Sequence, residues 1–212
     1  MVATITVGLV DGALDAEMPF LSAQHWCVEP VEDGHGASHA EALAATIRYH
    51  ASSVRFANAV VFGAKQTCRR ADVIEAVNWL LTDPPRILHC SFGLSDSDDA
   101  LADVFRRAVS ACDVVVASMP VSGAVTYPAA YPGVVSVQSD ARCGPRELSY
   151  LATDRAAFGA HGVSVTDEMV RGSAAAAAHV TGRIAAMLAA GADIRDTLDT
   201  LRLTATHSGP TR

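Results

Sequence analysis

The chain has 212 residues and a formal net charge of −7, and 50% of its residues are hydrophobic while 18% are charged. A chain of this length and apolar content can bury one substantial core, so we predict a single domain over residues 1–212. The acidic balance excludes the basic footprint by which proteins bind nucleic acid or an anionic membrane surface. We therefore predict neither a nucleic-acid nor a membrane partner.

The predicted elements alternate along the chain. Short runs rich in valine and isoleucine are followed by helical patterns, which predicts an α/β fold: a mostly parallel twisted sheet with helices on both faces. The predicted strands span residues 5–10, 54–62, 87–91, 114–118 and 134–138, with shorter ones near residues 148 and 157. The predicted helices span residues 36–50, 70–81, 98–111, 172–190 and 194–203. Residues 12–25 and 119–132 lack a periodic pattern and follow strand ends, where open α/β sheets bind ligands, so we expect the functional site there.

Cysteine usage indicates a reducing compartment. The five cysteines are odd in number, widely spaced and without a C-x-x-C pair: Cys27, Cys68, Cys90, Cys112 and Cys143. This pattern indicates neither a disulfide framework nor a zinc site, and we expect Cys27 and Cys90 to be packing thiols. The N-terminus has no signal-peptide pattern, and no apolar run is long enough to span a bilayer. We predict a cytoplasmic protein without a pro-segment.

The first predicted strand ends at Asp11. A carboxylate at the carboxyl edge of a buried strand must be paired or hydrogen-bonded. Taken alone, an aspartate in this position is more typical of a turn or a helix cap.

Two histidines mark the start of the next helix. His35 lies between two glycines and leads directly into the helical pattern, with His39 four residues further on. The pair could share a metal ion, but the segment lacks the intervening glutamate and a third ligand, so we predict no metal site. On its own the segment is equally consistent with a loop histidine and a partner on the helix face.

The third segment is a helix of small residues that begins at Gly172. Ser173 and five alanines follow, then His179, Val180 and Gly182. Small residues at a helix start allow a peptide backbone to approach closely. An alanine-rich helix is, however, also typical of a packed core, because alanine has the highest helix propensity.

Taken together, the three segments resemble the signatures of the subtilases, the subtilisin-like serine proteases: a strand ending in Asp, a His-Gly-x-x-His helix start, and Gly-Thr-Ser-x-Ala-Ala-x-His-Val-x-Gly. Ser91, Phe92 and Gly93 are similar to the family's Ser-Leu-Gly substrate-binding strand, and residues 127–137 to its Tyr-Pro-x-x-Tyr-Pro-x-Val segment. The resemblance covers residues 5–203. It implies a subtilisin-like fold, a peptide or protein substrate and no cofactor.

The resemblance also implies a role for each catalytic position. Asp11 would orient the imidazole, His35 would be the general base, and Ala174 occupies the position of the nucleophilic serine, after Gly172 and Ser173. Because alanine has no hydroxyl, we predict that the chain as written forms no acyl-enzyme. We interpret Ala174 as an engineered serine-to-alanine change, with a natural pseudoprotease as the alternative.

The match fails at the oxyanion asparagine, where the chain has Val121. Ser122, or a backbone N–H at the start of the Gly172 helix, is the expected replacement donor. Two functions stay open. One is an endopeptidase that matures a single peptide precursor; the other is an inactive module that pairs an extended peptide with residues 91–93 or scaffolds a partner protein.

Overall fold

The computed structural model describes residues 3–30 and 35–210, and of these the side chains of residues 35–37 are not described. The strands in this part of the chain are β1 Thr6–Asp11, β2 Leu21–Trp26, β3 Arg55–Val60, β4 Ile87–Cys90, β5 Val114–Ser118, β6 Val134–Ser139, β7 Leu148–Tyr150, β8 Phe158–Ala160 and β9 His207–Ser208. The helices are α1 His35–His50, α2 Arg70–Leu80, α3 Asp99–Ala111, α4 Ser173–Ala189 and α5 Ile194–Leu203.

Within the described ranges the strands form one nine-stranded sheet in the order β2-β3-β1-β4-β5-β6-β8-β7-β9. Every neighbouring pair is parallel except β7 with β8. Asp11 lies opposite Val60 in β3, and Val10 lies opposite Cys90 in β4. The carboxyl ends of the central strands therefore meet at one edge of the sheet, which is where the site residues were expected.

The helices cover both faces of the sheet, as predicted. On one face α1 and α4 bury Leu43, Ile47 and Ile184 against the sheet, with α5 beside α4. On the other face α2 and α3 bury Val77 and Phe105 in a second core. With both faces covered, the central strands carry continuous apolar runs, and all four residues of β4 are buried. The predicted α/β class is confirmed.

Helices α1 and α4 approach each other closely at Ile47 and Gly182. A Cβ atom added at Gly182 of α4 would lie 2.5 Å from the Ile47 carbonyl oxygen of α1, so only glycine permits this contact. Ala175 to Ala178 are all buried in the same interface and core. The alanine run is thus a buried packing surface of α4.

Two strands were not predicted. β2 is an edge strand within residues 12–25; it is only partly buried and carries Ser22, Gln24 and His25, so it shows no apolar run. β9 has two residues, too few for any pattern, and pairs with β7. The predicted helix bounds agree with the structure to within a residue; for example, Asp98 precedes α3 as its cap, accepting from the Leu101 N–H at 2.8 Å. None of the helices in the described ranges is both long and apolar enough to cross a membrane.

Candidate active site

The site is built around the Asp11 carboxylate, which is fully buried at the carboxyl end of β1. Oδ1 accepts the Gly12 N–H at 2.7 Å, and Oδ2 accepts a short hydrogen bond from the Ser91 hydroxyl. The His39 Nδ1 atom lies 2.9 Å from Oδ1 and 3.0 Å from Oδ2. A buried carboxylate requires such donors to replace its hydration, and three of them converge here.

Among the histidines whose side chains the structure describes, His39 contacts Asp11. His35 begins α1, but its side chain lies outside the described part of the chain. The sequence analysis assigned the pairing to His35 because its Gly-x-x-His context matches the family motif letter by letter. Two histidines four residues apart lie on the same helix face, one turn from each other, so the sequence alone could not distinguish them. The structure shows His39 in contact with Asp11, and the role predicted for His35 stays a prediction.

The Asp11 contact determines the protonation of His39. An ionised carboxylate only accepts hydrogen bonds, so Nδ1 carries the proton and the neutral ring has its acceptor nitrogen at Nε2. Burial lowers the pKa of His39, but the hydrogen bond and the negative charge of Asp11 together raise the pKa above its usual 6.5. The ring of Phe62 packs edge-on at 6.3 Å between centroids. This arrangement fixes an imidazole that can act as a general base through Nε2.

His39 lines a cavity of about 400 Å³ beside residues 91–93. Ser91 and Phe92 are buried and Gly93 is exposed. A Cβ atom at Gly93 would lie 2.5 Å from the Thr126 Oγ1 atom. The missing side chain lets the chain at residue 94 pair with residue 127, through Leu94 N–H to the Tyr127 carbonyl at 2.8 Å and its reciprocal at 2.9 Å. The predicted substrate strand is thus one wall of an open groove.

Ala174 is the second residue of α4, at the same edge of the sheet. Gly172 precedes the helix with φ 95°, a left-handed conformation that favours glycine, and donates its N–H to the Gly162 carbonyl at 2.8 Å. The Ser139 N–H donates to the Ser173 hydroxyl at 3.3 Å, which fixes the helix start against β6. The first N–H groups of a helix have no partner within it and carry partial positive charge, so the backbone at Ala174 can stabilise an anion.

The oxyanion segment carries no amide side chain at the predicted position. Val121 is 54% exposed, and Ser122 is also exposed. The guanidinium of Arg155 donates to the carbonyl oxygens of Pro120 at 3.1 Å and Ala124 at 3.4 Å, and also to that of Gly123. The sequence analysis did not predict a role for Arg155, because this loop residue is 35 residues away from Pro120 and no local sequence pattern indicates the contact. Its effect is to hold the Val121 segment in one conformation beside the groove.

No protein-family model matches the chain. Subtilisin from Bacillus pumilus is 24% identical over 240 residues, covering 98% of this chain and 86% of that protein.

Solved structures share the fold at low sequence identity. A serine-to-alanine mutant of the protease domain of PatA has a TM-score of 0.68 at 19% identity, covering 93% of this chain and 86% of that one. A lanthipeptide protease has a TM-score of 0.70 at 18% identity, and the match covers 95% of this chain and 80% of that one. The prenylagaramide maturation protease PagA has a TM-score of 0.66 at 16% identity, and the match covers 93% of this chain and 82% of that one.

Fold and sequence similarity thus agree on one class of protein, the subtilisin-like serine proteases. Members of this class are serine endopeptidases. The chain has the fold of these proteases and is similar to subtilisin in sequence.

Proposed function

We propose that the chain is the catalytic domain of a peptide-maturation protease in which Asp11, His39 and residue 174 form the triad. The observation that carries the proposal is the contact of His39 Nδ1 with both carboxylate oxygens of Asp11, at 2.9 and 3.0 Å. A carboxylate that orients an imidazole from behind, with Nε2 left as acceptor, is the arrangement a serine protease requires of its base.

Each residue has a separate role in the proposed reaction. With serine at position 174, its hydroxyl oxygen attacks the peptide carbonyl while Nε2 of His39 takes the hydroxyl proton and then returns it to the leaving amine. Asp11 holds the ring and stabilises the imidazolium. Backbone N–H groups at the start of α4 supply hydrogen bonds to the tetrahedral oxyanion. Ala174 leaves all of these parts in place and removes only the nucleophile.

The proposed substrate is a segment of a peptide precursor. Two of the structural neighbours are described as a lanthipeptide protease and as a maturation protease for prenylagaramide. An extended segment can bind by adding main-chain hydrogen bonds along residues 91–93, where Gly93 is exposed. The PatA neighbour carries a serine-to-alanine mutation, which supports an engineered origin for Ala174. All five cysteines are free thiols, which supports a cytoplasmic location.

The test is the variant Ala174→Ser, incubated with a library of unstructured peptides and followed by mass spectrometry. We expect cleavage at defined sites, against none for the chain as written. In the serine background, His39→Ala should abolish cleavage, whereas His35→Ala should retain most of it. Loss of cleavage with His35→Ala alone would return the base to His35, and no cleavage in any variant would contradict the proposed activity.

A second function is favoured by Val121. An exposed valine at the predicted oxyanion position supports a pseudoprotease that binds peptides without cleaving them. In that case the Ala174→Ser variant and the original chain bind the same peptides with equal affinity, and neither yields products. Binding by fluorescence anisotropy, measured beside the cleavage assay, separates the two functions.

A further inference from the structure

A group of metal-ligating side chains lies at the outer edge of the sheet, apart from the Asp11–His39 pair. His25 is on β2, Cys27 follows that strand directly, and Glu75 is on α2. One imidazole nitrogen, the thiol sulfur and one carboxylate oxygen all lie within 4.8 Å of one another. Nothing in the proposed peptidase chemistry uses these three groups.

The spacing of the three atoms suits a small divalent cation. Zinc binds nitrogen and oxygen at about 2.0–2.2 Å and thiolate sulfur at about 2.3 Å, so tetrahedral geometry separates its ligand atoms by about 3.3–3.8 Å. The His25 Nε2 and Glu75 Oε1 atoms are 2.9 Å apart and would separate by about half an ångström to admit the ion. A change of this size lies within side-chain rotation and leaves the backbone in place.

The backbone and one aromatic ring hold the ligands in position. His25 and Cys27 are two residues apart in extended chain and so lie on the same side of it. The Cys27 N–H donates to the Val60 carbonyl at 3.0 Å. The ring of Trp79, one turn after Glu75 on α2, stacks on the His25 imidazole with centroids 5.2 Å apart and planes 19° from parallel. These contacts hold the ligands of β2 and α2 close to one another.

The electrostatics of the group favour a cation. Asp72, also on α2, is paired with Arg69 at 2.7 Å, whereas Glu75 is paired with the imidazole of His25. A divalent ion would compensate Glu75 and bind the sulfur as thiolate, because metal binding displaces the thiol proton.

We propose that His25, Cys27 and Glu75 bind one zinc ion, with water as the fourth ligand. A nitrogen, sulfur and oxygen set is typical of zinc among the biological divalent cations. The ion links edge strand β2 to α2, and it fixes the point from which the chain continues to α1 and His39. Its role is therefore to stabilise the edge of the sheet next to the active site.

The test uses the full chain with Ala174, freed of metal with a chelator and kept reduced. Titration with zinc by calorimetry should give one site per chain, and titration with cobalt(II) should give the sulfur-to-cobalt charge-transfer band together with the visible bands of tetrahedral cobalt. Cys27→Ser should abolish the charge-transfer band, and Cys27→Ser, His25→Asn and Glu75→Gln should each weaken zinc binding by at least about tenfold. Cys68→Ser, a second half-buried thiol near α2, is the matched control and should retain both signals.

The unfolding temperature of each metal-free variant, measured by circular dichroism, shows whether it is folded before titration. Zinc should raise the unfolding temperature of the original chain and of Cys68→Ser but not that of Cys27→Ser, because only native-state binding stabilises the fold. The proposal is overturned if the original chain binds no zinc at micromolar concentration, or if binding survives Cys27→Ser unchanged. None of these readouts depends on peptidase activity.

Discussion

Among single residues, His39 is the group whose titration reports most directly on the proposed triad. Asp11 raises the pKa of His39 above 6.5 although burial alone would lower it. We therefore expect Asp11→Asn to bring the pKa below 6.5, as read from the ring protons by NMR in the Ala174 chain. A pKa that is unaffected by this change would show that the carboxylate and the imidazole are not coupled.

The same shift predicts how activity and stability depend on pH. In Ala174→Ser the neutral ring is the base, so kcat/KM should rise as the pH increases through the raised pKa of His39. The stability contribution has the opposite sign. Protonated His39 stabilises the fold below the unfolded pKa of about 6.5, and this contribution is lost as the pH rises through the folded pKa. Urea unfolding across this range checks the sign, with Asp11→Asn as the uncoupled control.

Val121, at the predicted oxyanion position, is the residue at which we expect a substitution to raise activity. In subtilisin, removing the asparagine that hydrogen-bonds the oxyanion costs about 10² to 10³ in kcat. We expect Val121→Asn in the Ala174→Ser background to raise kcat by up to about 10² to 10³, with little change in KM. Val125→Asn replaces another exposed valine of the same segment and should have no such effect. An equal response to both changes would indicate that polarity, rather than a directed hydrogen bond, is responsible.

Among the elements, the contact between α1 and α4 is the one on which the site depends most. A Cβ atom at Gly182 would lie 2.5 Å from the Ile47 carbonyl oxygen, a backbone atom that cannot move without shifting α1. Gly182→Ala should therefore cost about 1–3 kcal/mol of unfolding free energy despite its better helix propensity. Gly144→Ala, where the nearest atom is 3.4 Å away, is the matched control. Urea denaturation of both variants measures the difference.

The elements also show how far the sequence predicts this fold. Helix α5 was predicted with its observed bounds, because Asp193 caps its start. Strand β5 was also predicted with its observed bounds, because it is a short buried run rich in valine. β2 was missed because it is an edge strand with polar residues and no fully buried one, so its sequence shows no apolar run. Asp11 was predicted at the carboxyl edge of the first strand, and β1 ends at this residue. The choice between His35 and His39 and the contacts of Arg155 depend on three-dimensional register, which no local pattern encodes.

At the scale of the whole molecule, a buried ion pair ties the C-terminal end of the chain to the sheet. Asp140 accepts from Arg142 Nη2 at 2.7 Å and from the Ser149 hydroxyl at 2.7 Å. Arg142 also donates to the Gly209 carbonyl at 2.8 Å, just beyond β9. Burial opposes ionisation of Asp140, but these hydrogen bonds outweigh it and lower the pKa of the carboxyl to about 2.

Acid stability should follow from this pair. Because the folded pKa of Asp140 lies below the unfolded value of about 3.9, its contribution of about 2 kcal/mol is present above pH 4 and is lost as the pH falls towards 2. Asp140→Asn should lower the unfolding free energy at pH 7 and flatten its pH dependence between 4 and 2. Asp113→Asn, which breaks a solvent-exposed pair with Arg86, should cost no more than about 1 kcal/mol. Similar losses for both variants would argue against a special role for the buried pair.

Alanine at position 174 would also allow peptide binding to be measured separately from cleavage, which an active protease does not permit. On the proposed function, a peptide bound to the chain as written dissociates uncleaved, so its dissociation constant measures recognition of the ground state alone. Cleavage of the same peptide by Ala174→Ser reports recognition of the transition state through kcat/KM. A plot of kcat/KM against the dissociation constant over a peptide series separates two kinds of substrate position. Some contribute equally to binding of the ground state and the transition state, and others contribute more to the transition state.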